Sequence, residues 1–190
     1  VGYFIAQDPT PILVIQPTLE MAQTWSKDRF APMLRDSPAL KDLVQDPRAR
    51  SSNNTILHKT FAGGHITMAG ANSASSLASR PIRIVFLDEV DRFPTSAGTE
   101  GDPVSLAKKR TTTFWNRKII MTSTPTVKGA SRIEQAFLES DQRKYYVPCP
   151  KCGEFQILMW AKIKWDRGED DKHLPETARY VCEHCQYEIK

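Results

Sequence analysis

Three groups of side chains in this sequence have the types and spacing to do chemistry. Asp88-Glu89 sets two carboxylates side by side at the end of the apolar run Ile82-Arg83-Ile84-Val85-Phe86-Leu87. Adjacent acids of this kind serve nucleotide hydrolysis: the first holds Mg²⁺, commonly through water, and the second polarises the water that attacks a terminal phosphate. The second group, Cys149-Pro150-Lys151-Cys152 and Cys182-Glu183-His184-Cys185, contains all 4 cysteines. Two residues between thiolates let one tight turn aim both sulfurs at a single tetrahedral ion, and two such turns complete a Zn²⁺ shell. Four sulfurs leave no open position, so the expected metal is structural. His184 reads as solvent-facing, and nothing else here resembles a disulfide scaffold. The third group is the pair of hydroxyl-bearing segments Pro17-Thr18 and Thr122-Ser123-Thr124. Beside an acid pair, such segments can sense a terminal phosphate and pass the difference on.

The elements that must position these groups follow from hydrophobic pattern and punctuation. Ile82 to Leu87 is apolar enough for a central parallel strand covered on both faces, and ligands in such sheets bind beyond the strands' carboxyl ends. Ile12-Leu13-Val14-Ile15 is a second strand, with Pro17 blocking its continuation and Thr18 capping a helix from Leu19 to about Ala31 that Pro32 ends or kinks. Arg35 to Asn54 reads as a short helix plus loop. Ile56–Phe61 and His65–Ala69 flank Gly63-Gly64 as a hairpin, with His58 and His65 as plain strand residues lacking ligand-like neighbours. Gly70 to Leu77 reads as a loop with a short helix. Asp102-Pro103 starts a helix through Lys108 and Arg110, and Lys118 to Met121 is another buried strand. Ser131 to Glu134 has capping-box form, opening a helix with Ile133, Ala136 and Phe137 on its apolar face. Strands alternating with helices imply an α/β fold with a largely parallel sheet. Three strand ends, at Pro17-Thr18, Asp88-Glu89 and Ser123-Thr124-Pro125, then converge on one crevice.

At 190 residues and 40% hydrophobic content the chain can bury a real core. Its longest apolar runs fall short of the roughly 18 to 20 residues of a membrane span. The net charge of +4 is compatible with an anionic partner without requiring one. We divide the chain into residues 1–143, holding the strand–helix pattern, and 144–190, holding the cysteine pairs.

In order along the chain, these features resemble the large terminase subunit of tailed phages, in its lambda-type GpA branch. The resemblance rests on Val14-Ile15-Gln16-Pro17-Thr18, Ser79-Arg80-Pro81, Leu87-Asp88-Glu89-Val90-Asp91 and Glu100-Gly101-Asp102-Pro103. It continues through Ser123-Thr124-Pro125-Thr126 and Ser140-Asp141-Gln142-Arg143 to Cys149-Pro150-Lys151-Cys152-Gly153, and covers nearly the whole chain. It implies a RecA-like P-loop NTPase core followed by a small zinc-ribbon-like element. The implied activity is ATP hydrolysis driving double-stranded DNA into a procapsid. Asp88 is then the Mg²⁺ carboxylate of Walker B, Glu89 the catalytic glutamate, and Thr122, Ser123 and Thr124 the coupling motif. Pro17-Thr18 resembles the motif after the second strand of helicase-like motors. Arg80, Arg92 and Arg110 are candidates for an arginine finger or for DNA contact, and Lys108-Lys109-Arg110 for phosphate contact. The family implies a small terminase subunit, a portal on the procapsid, an oligomeric motor in the host cytoplasm without membrane association, and a downstream endonuclease domain.

One departure concerns the phosphates. No segment matches G-x-x-x-x-G-K-S/T, whose amides and lysine cradle them. Lys59-Thr60 is the only Lys-Ser/Thr pair, and Leu57 and His58 stand in place of glycine. The chain is therefore expected to begin just after its phosphate-binding loop, and to be inactive alone. Two other readings stay open at this point: a helicase-like or remodelling ATPase, and a non-enzymatic zinc-ribbon module that binds DNA.

Overall fold

The computed structural model describes residues 1–44, 54–78 and 80–189. The loop expected after Arg35 lies partly outside them, as does Ser79. Two compact units are present, Val1–Phe137 and Leu138–Lys190.

In the first unit a short helix, α1 (Tyr3–Ala6), precedes β1 (Pro11–Gln16). Thr18 caps α2 (Leu19–Trp25) as its sequence predicts, its Oγ1 accepting the Met21 N–H at 3.2 Å. The helix does not end at Pro32. It runs on through a π-turn at Ser26–Phe30 into α3 (Ala31–Asp36), where the proline sits in the first turn. Proline lacks the N–H for an i→i−4 bond and crowds that carbonyl, and the wider turn just before it, with the Ala31 N–H on the Ser26 carbonyl, makes the room. The hairpin β2 (His58–Phe61) and β3 (Gly64–Gly70) turns at Gly63, whose φ of 82° needs glycine. Then follow α4 (Ala74–Ala78), β4 (Ile84–Asp88), α5 (Pro103–Lys109), β5 (Lys118–Thr122) and α6 (Arg132–Leu138).

The sheet order is β2-β3-β1-β4-β5, with β3, β1, β4 and β5 mutually parallel and β2 antiparallel at one edge. Alternation along β1 and β4 divides the core. Leu13, Ile15, Val85 and Leu87 face the side of α4 and α5, while Ile12, Val14 and Ile84 face α1 and α2. Both faces are covered, so the acidic strand is as buried as its composition predicts. Arg83, just before this strand, forms a bidentate pair with Asp8 at 2.7 Å for each oxygen, and this guanidinium holds the Asp8 carboxyl below its ordinary pKa.

β5 differs from expectation. It is the other edge of the sheet, and Ile119, Ile120 and Met121 are only half-buried, because a strand with one neighbour leaves its outer flank uncovered. α5 begins as predicted, with Asp102 accepting the Ser105 N–H at 2.8 Å. At α6 only half of the capping box forms. Ser131 Oγ accepts the Glu134 N–H at 3.1 Å, but the Glu134 carboxylate turns to the Gly129 N–H at 2.7 Å. The Ser131 N–H is already engaged by the Val127 carbonyl.

The second unit holds the hairpin β6 (Tyr146–Pro148) and β7 (Phe155–Ile157). Beside it is an antiparallel sheet of β8 (Ile163–Arg167), β9 (His173–Val181) and β10 (Glu188–Ile189) in the order β10-β9-β8. Among its described residues only Cys149, Gln156 and Cys182 are buried. Among the described residues of the chain no helix is long and apolar enough to cross a membrane.

Candidate functional site

Because β1, β4 and β5 are adjacent and parallel, their carboxyl ends meet at one edge, and the register sets Asp88 opposite Thr122. The contacts are direct. Thr122 Oγ1 donates to Asp88 Oδ1 at 2.7 Å, and Gln16 Nε2 donates to Asp88 Oδ2 at 3.0 Å. Three strand ends therefore fix one carboxylate, while its remaining lone pairs stay open for a cation or its waters. Gln16 is buried, at 3% exposure. Sequence reasoning missed it, although an amide closing the apolar run Ile12–Ile15 just before Pro17 was a visible signal.

Glu89 occupies the left-handed region, at φ 57° and ψ 46°. This conformation costs a non-glycine residue roughly 1 kcal/mol, and it turns the chain sharply after β4 so that the two acids do not continue the strand's pleat. The Glu89 carboxylate lies 3.5 Å from Arg92 Nε, an ion pair half open to solvent. Beyond it, the Asp91 N–H donates to Ser123 Oγ at 3.3 Å. Asp91 itself was assigned no role from sequence, and it is the most heavily hydrogen-bonded acid here. It accepts from Thr126 N–H (2.9 Å), Thr126 Oγ1 (3.0 Å) and Ile133 N–H (2.9 Å). Against the opposing pull of desolvation, these donors and the Ser131 hydroxyl bring its pKa down to about 2.

The other predicted positions fall as follows. Thr124 offers its carbonyl to Ser123 Oγ at 3.2 Å. Pro17 and Thr18 follow Gln16 at the same sheet edge, where Gly70 permits close passage: a Cβ on Gly70 would stand 2.6 Å from the Leu19 nitrogen. Of the three arginines, Arg92 alone reaches an acid of the site. Arg110 donates to the Ala78 carbonyl at 2.6 Å, and its own carbonyl accepts from Ile82. That is the entry end of β4, roughly 20 Å along the strand from Asp88. Arg80 lines a cavity of about 320 Å³ with His58, Thr67, Ser75 and Ser76. His58 and His65, read from sequence as plain strand residues, stand with their rings 5.4 Å apart and tilted by 40°, and burial lowers both pKa values. Lys59 is buried in β2 with Nζ on the Thr55 carbonyl, a structural use of the only Lys-Thr pair.

In the second unit the four cysteines come together, with every sulfur within 4.8 Å of the others. Cys149 and Cys185 are 3.8 Å apart, and Cys152 and Cys182 3.9 Å. Four sulfurs at ~2.3 Å from a tetrahedral Zn²⁺ stand about 3.8 Å apart, which the two closest pairs match, so the donor set fits that ion. The two turns repeat one design. Gly153 N–H bonds the Cys149 carbonyl and Gln186 N–H bonds the Cys182 carbonyl, with φ of 77° at Gly153 and 57° at Gln186. Gln156 links them by accepting the Glu183 N–H at 3.1 Å. N–H groups aimed at sulfur favour thiolates: that of Cys152 foremost brings Cys149 to about 6, and that of Cys185 foremost lowers Cys182. His184 is exposed beside Glu183, as read.

Against known proteins, the chain is 33% identical to the terminase large subunit of Enterobacteria phage P21 and 31% identical to that of Escherichia phage lambda. Each match covers 96% of this chain but 29% of the relative, so the chain spans less than a third of their length. The crystal structure of the HK97 bacteriophage large terminase superposes with a TM-score of 0.55 at 14% identity, over 72% of this chain and 28% of that one. A mutant ATPase domain of the Thermus phage P74-26 large terminase gives 0.51 at 17% identity, over 83% of this chain and 64% of that one. Both share the fold, an α/β P-loop-like core. The family described as phage terminase large subunit gpA, ATPase domain, matches residues 1–190, and this chain belongs to it.

Proposed function

We propose that these residues form part of a DNA-packaging motor that hydrolyses ATP to move double-stranded DNA into a procapsid. The observation that carries the reading is Asp88, held by Gln16 and Thr122 beside the strained Glu89 at the meeting of three parallel strand ends. Bound through Asp88, Mg²⁺ would neutralise phosphate charge. Gln16 and Thr122 keep that carboxylate oriented toward the crevice, and Glu89 takes up the proton of the attacking water. Thr122, Ser123 and Thr124 carry the difference between nucleotide states, with Pro17 and Thr18 alongside. Arg92 restrains Glu89 until nucleotide arrives and is also the residue best placed to meet phosphate. The cysteines hold a structural Zn²⁺, making the second unit zinc-ribbon-like. The division at residues 143 and 144 is the functional one, separating the motor from the ribbon. The full-length protein would cut concatemeric DNA with a separate endonuclease domain and act as an oligomer with a small terminase subunit and a portal, in the host cytoplasm.

Phosphates brought to Asp88 and Glu89 without a lysine-bearing loop meet two carboxylates, with the Arg92 guanidinium already paired to one of them. The 190 residues alone are expected to bind ATP with Kd above ~1 mM, measured by calorimetry, whereas a polypeptide extended upstream through such a loop should turn over ATP with stimulation by double-stranded DNA. Absence of turnover in that folded, extended protein would remove the motor reading.

Gln16→Leu in the extended protein separates orientation from folding. Leucine fills the space of the buried amide, and the Asp88 oxygen that loses its donor is only half-buried and can turn to water, so Tm should fall by no more than a few degrees. The Mg²⁺ concentration needed for half-maximal turnover should rise about tenfold, the equivalent of one lost hydrogen bond to a charged group. An unchanged Mg²⁺ requirement would show that Thr122 suffices.

A further inference from the structure

The Asp91 carboxylate reaches beyond the acidic turn on which it sits. We propose that Asp91 is the positioning residue that ties the hydrolytic end of β4 to α6, so that movement at Glu89 is delivered to the helix through which the chain leaves the first unit. The inference rests on the motor reading above.

The geometry supplies both ends of the link. Asp91 lies two residues beyond Glu89, within the same 3-10 turn as Arg92, whose side chain pairs with Glu89. From there one oxygen, Oδ1, takes the Ile133 N–H in the first turn of α6, while Oδ2 takes both donors of Thr126. The Asp91 N–H meets Ser123 in the coupling segment. Four hydrogen bonds thus join three chain segments, and none of these partners lies on β4. Anion–amide bonds of this kind are about twice as strong as neutral ones, and two acceptors on one rigid carboxylate cannot move independently.

α6 is otherwise anchored to the same region. Arg132 donates to the Pro94 carbonyl at 2.9 Å and pairs with Asp102 at 3.3 Å. Residues 94 and 102 belong to the loop that leads from the acidic turn into α5. A change of conformation at Glu89, already in a strained backbone well, therefore has a short covalent path to Asp91 and a hydrogen-bonded one onward to α6. Strain of this kind at an acidic turn is a reservoir for two-state behaviour. The linked element, Arg132–Leu138, crosses the boundary at Phe137.

The test uses the full-length protein, comparing native, Asp91→Asn, Thr126→Val and Glu89→Gln forms. Hydrogen exchange is followed with and without a non-hydrolysable ATP analogue, together with kcat and KM for ATP in the presence of DNA. In the native protein, nucleotide should change exchange both at Leu87–Val90 and at Arg132–Phe137. In Asp91→Asn the change at Leu87–Val90 should persist and that at α6 vanish. Asparagine cannot accept the same donors on both atoms. DNA-stimulated kcat should fall about tenfold with KM within about threefold, the pattern of an interaction used after binding. Thr126→Val removes one of the four bonds, keeps the fold if Asp91→Asn does not, and should halve the α6 response or more. An α6 response equal to native in either folded variant overturns the inference while the motor reading stands. Absence of ATP turnover in the native protein overturns both.

Discussion

Glu89→Gln, in the chain extended through a phosphate-binding loop, is expected to lower kcat for ATP by ~10³-fold, within the usual range for loss of a general base, while ATP still binds. The amide keeps the size and the left-handed turn but cannot accept a proton from water. It also loses the ion pair with Arg92, which at half exposure contributes little to stability. Tm should therefore shift by no more than a degree or two, and a trapped ATP complex should accumulate. The measurement is single-turnover hydrolysis beside equilibrium nucleotide binding. Normal turnover in the variant would mean that Glu89 is not the catalytic base, whereas absence of turnover in both folded, zinc-loaded forms would make the acid pair structural and a DNA-binding module the better account of the chain.

The second large effect concerns the cysteines. Stripping the protein with a strong chelator, or replacing Cys182 with Ser, should unfold residues 138–190 while the transition of the first unit survives. The reason is the near absence of core: among described residues the second unit buries only two cysteines and one glutamine. Structural Zn²⁺ supplies roughly 10 to 16 kcal/mol of apparent binding free energy in small metal-folded domains, far more than three buried side chains could. Cys182 is fully buried, so its loss also leaves three thiols crowded around a hydroxyl. One zinc per chain by elemental analysis, and protease sensitivity confined to this segment after chelation, are the expected results. Retained protection in zinc-free protein would show that the hairpin and sheet hold without metal.

Much of this was legible because local rules bind tightly at the places concerned. An apolar run with an abrupt acidic end is a buried strand in almost any context, and Asp88 had to stand at a carboxyl end. Cys-x-x-Cys pairs constrain their own turns, so the convergence of Cys149, Cys152, Cys182 and Cys185 followed from spacing. Thr18 and Asp102 cap their helices through bonds spanning only three residues, which need no tertiary information. The family itself was readable from the order of short signatures.

What the sequence could not decide depends on neighbours distant along the chain. Lys118–Thr122 has the composition of an inner strand, and only the sheet order places it at an edge. Pro32 has the chemistry of a helix terminator, but a π-turn upstream absorbs it. Gln16 and Asp91 look like an unremarked amide and a third acid until pairing registers and loop paths bring Gln16 to Asp88, and Thr126 and Ile133 to Asp91. Arg80, Arg92 and Arg110 were indistinguishable by proximity in sequence, and the direction of β4 separates them, with Arg92 at the acidic end and Arg110 at the entry. Sequence thus determined which groups could do chemistry and which strand ends would carry them. Tertiary structure decided which side chains touch, because contacts between residues 72 and 75 positions apart, as in Gln16 with Asp88 and Asp8 with Arg83, depend on strand order and register, which no local pattern encodes.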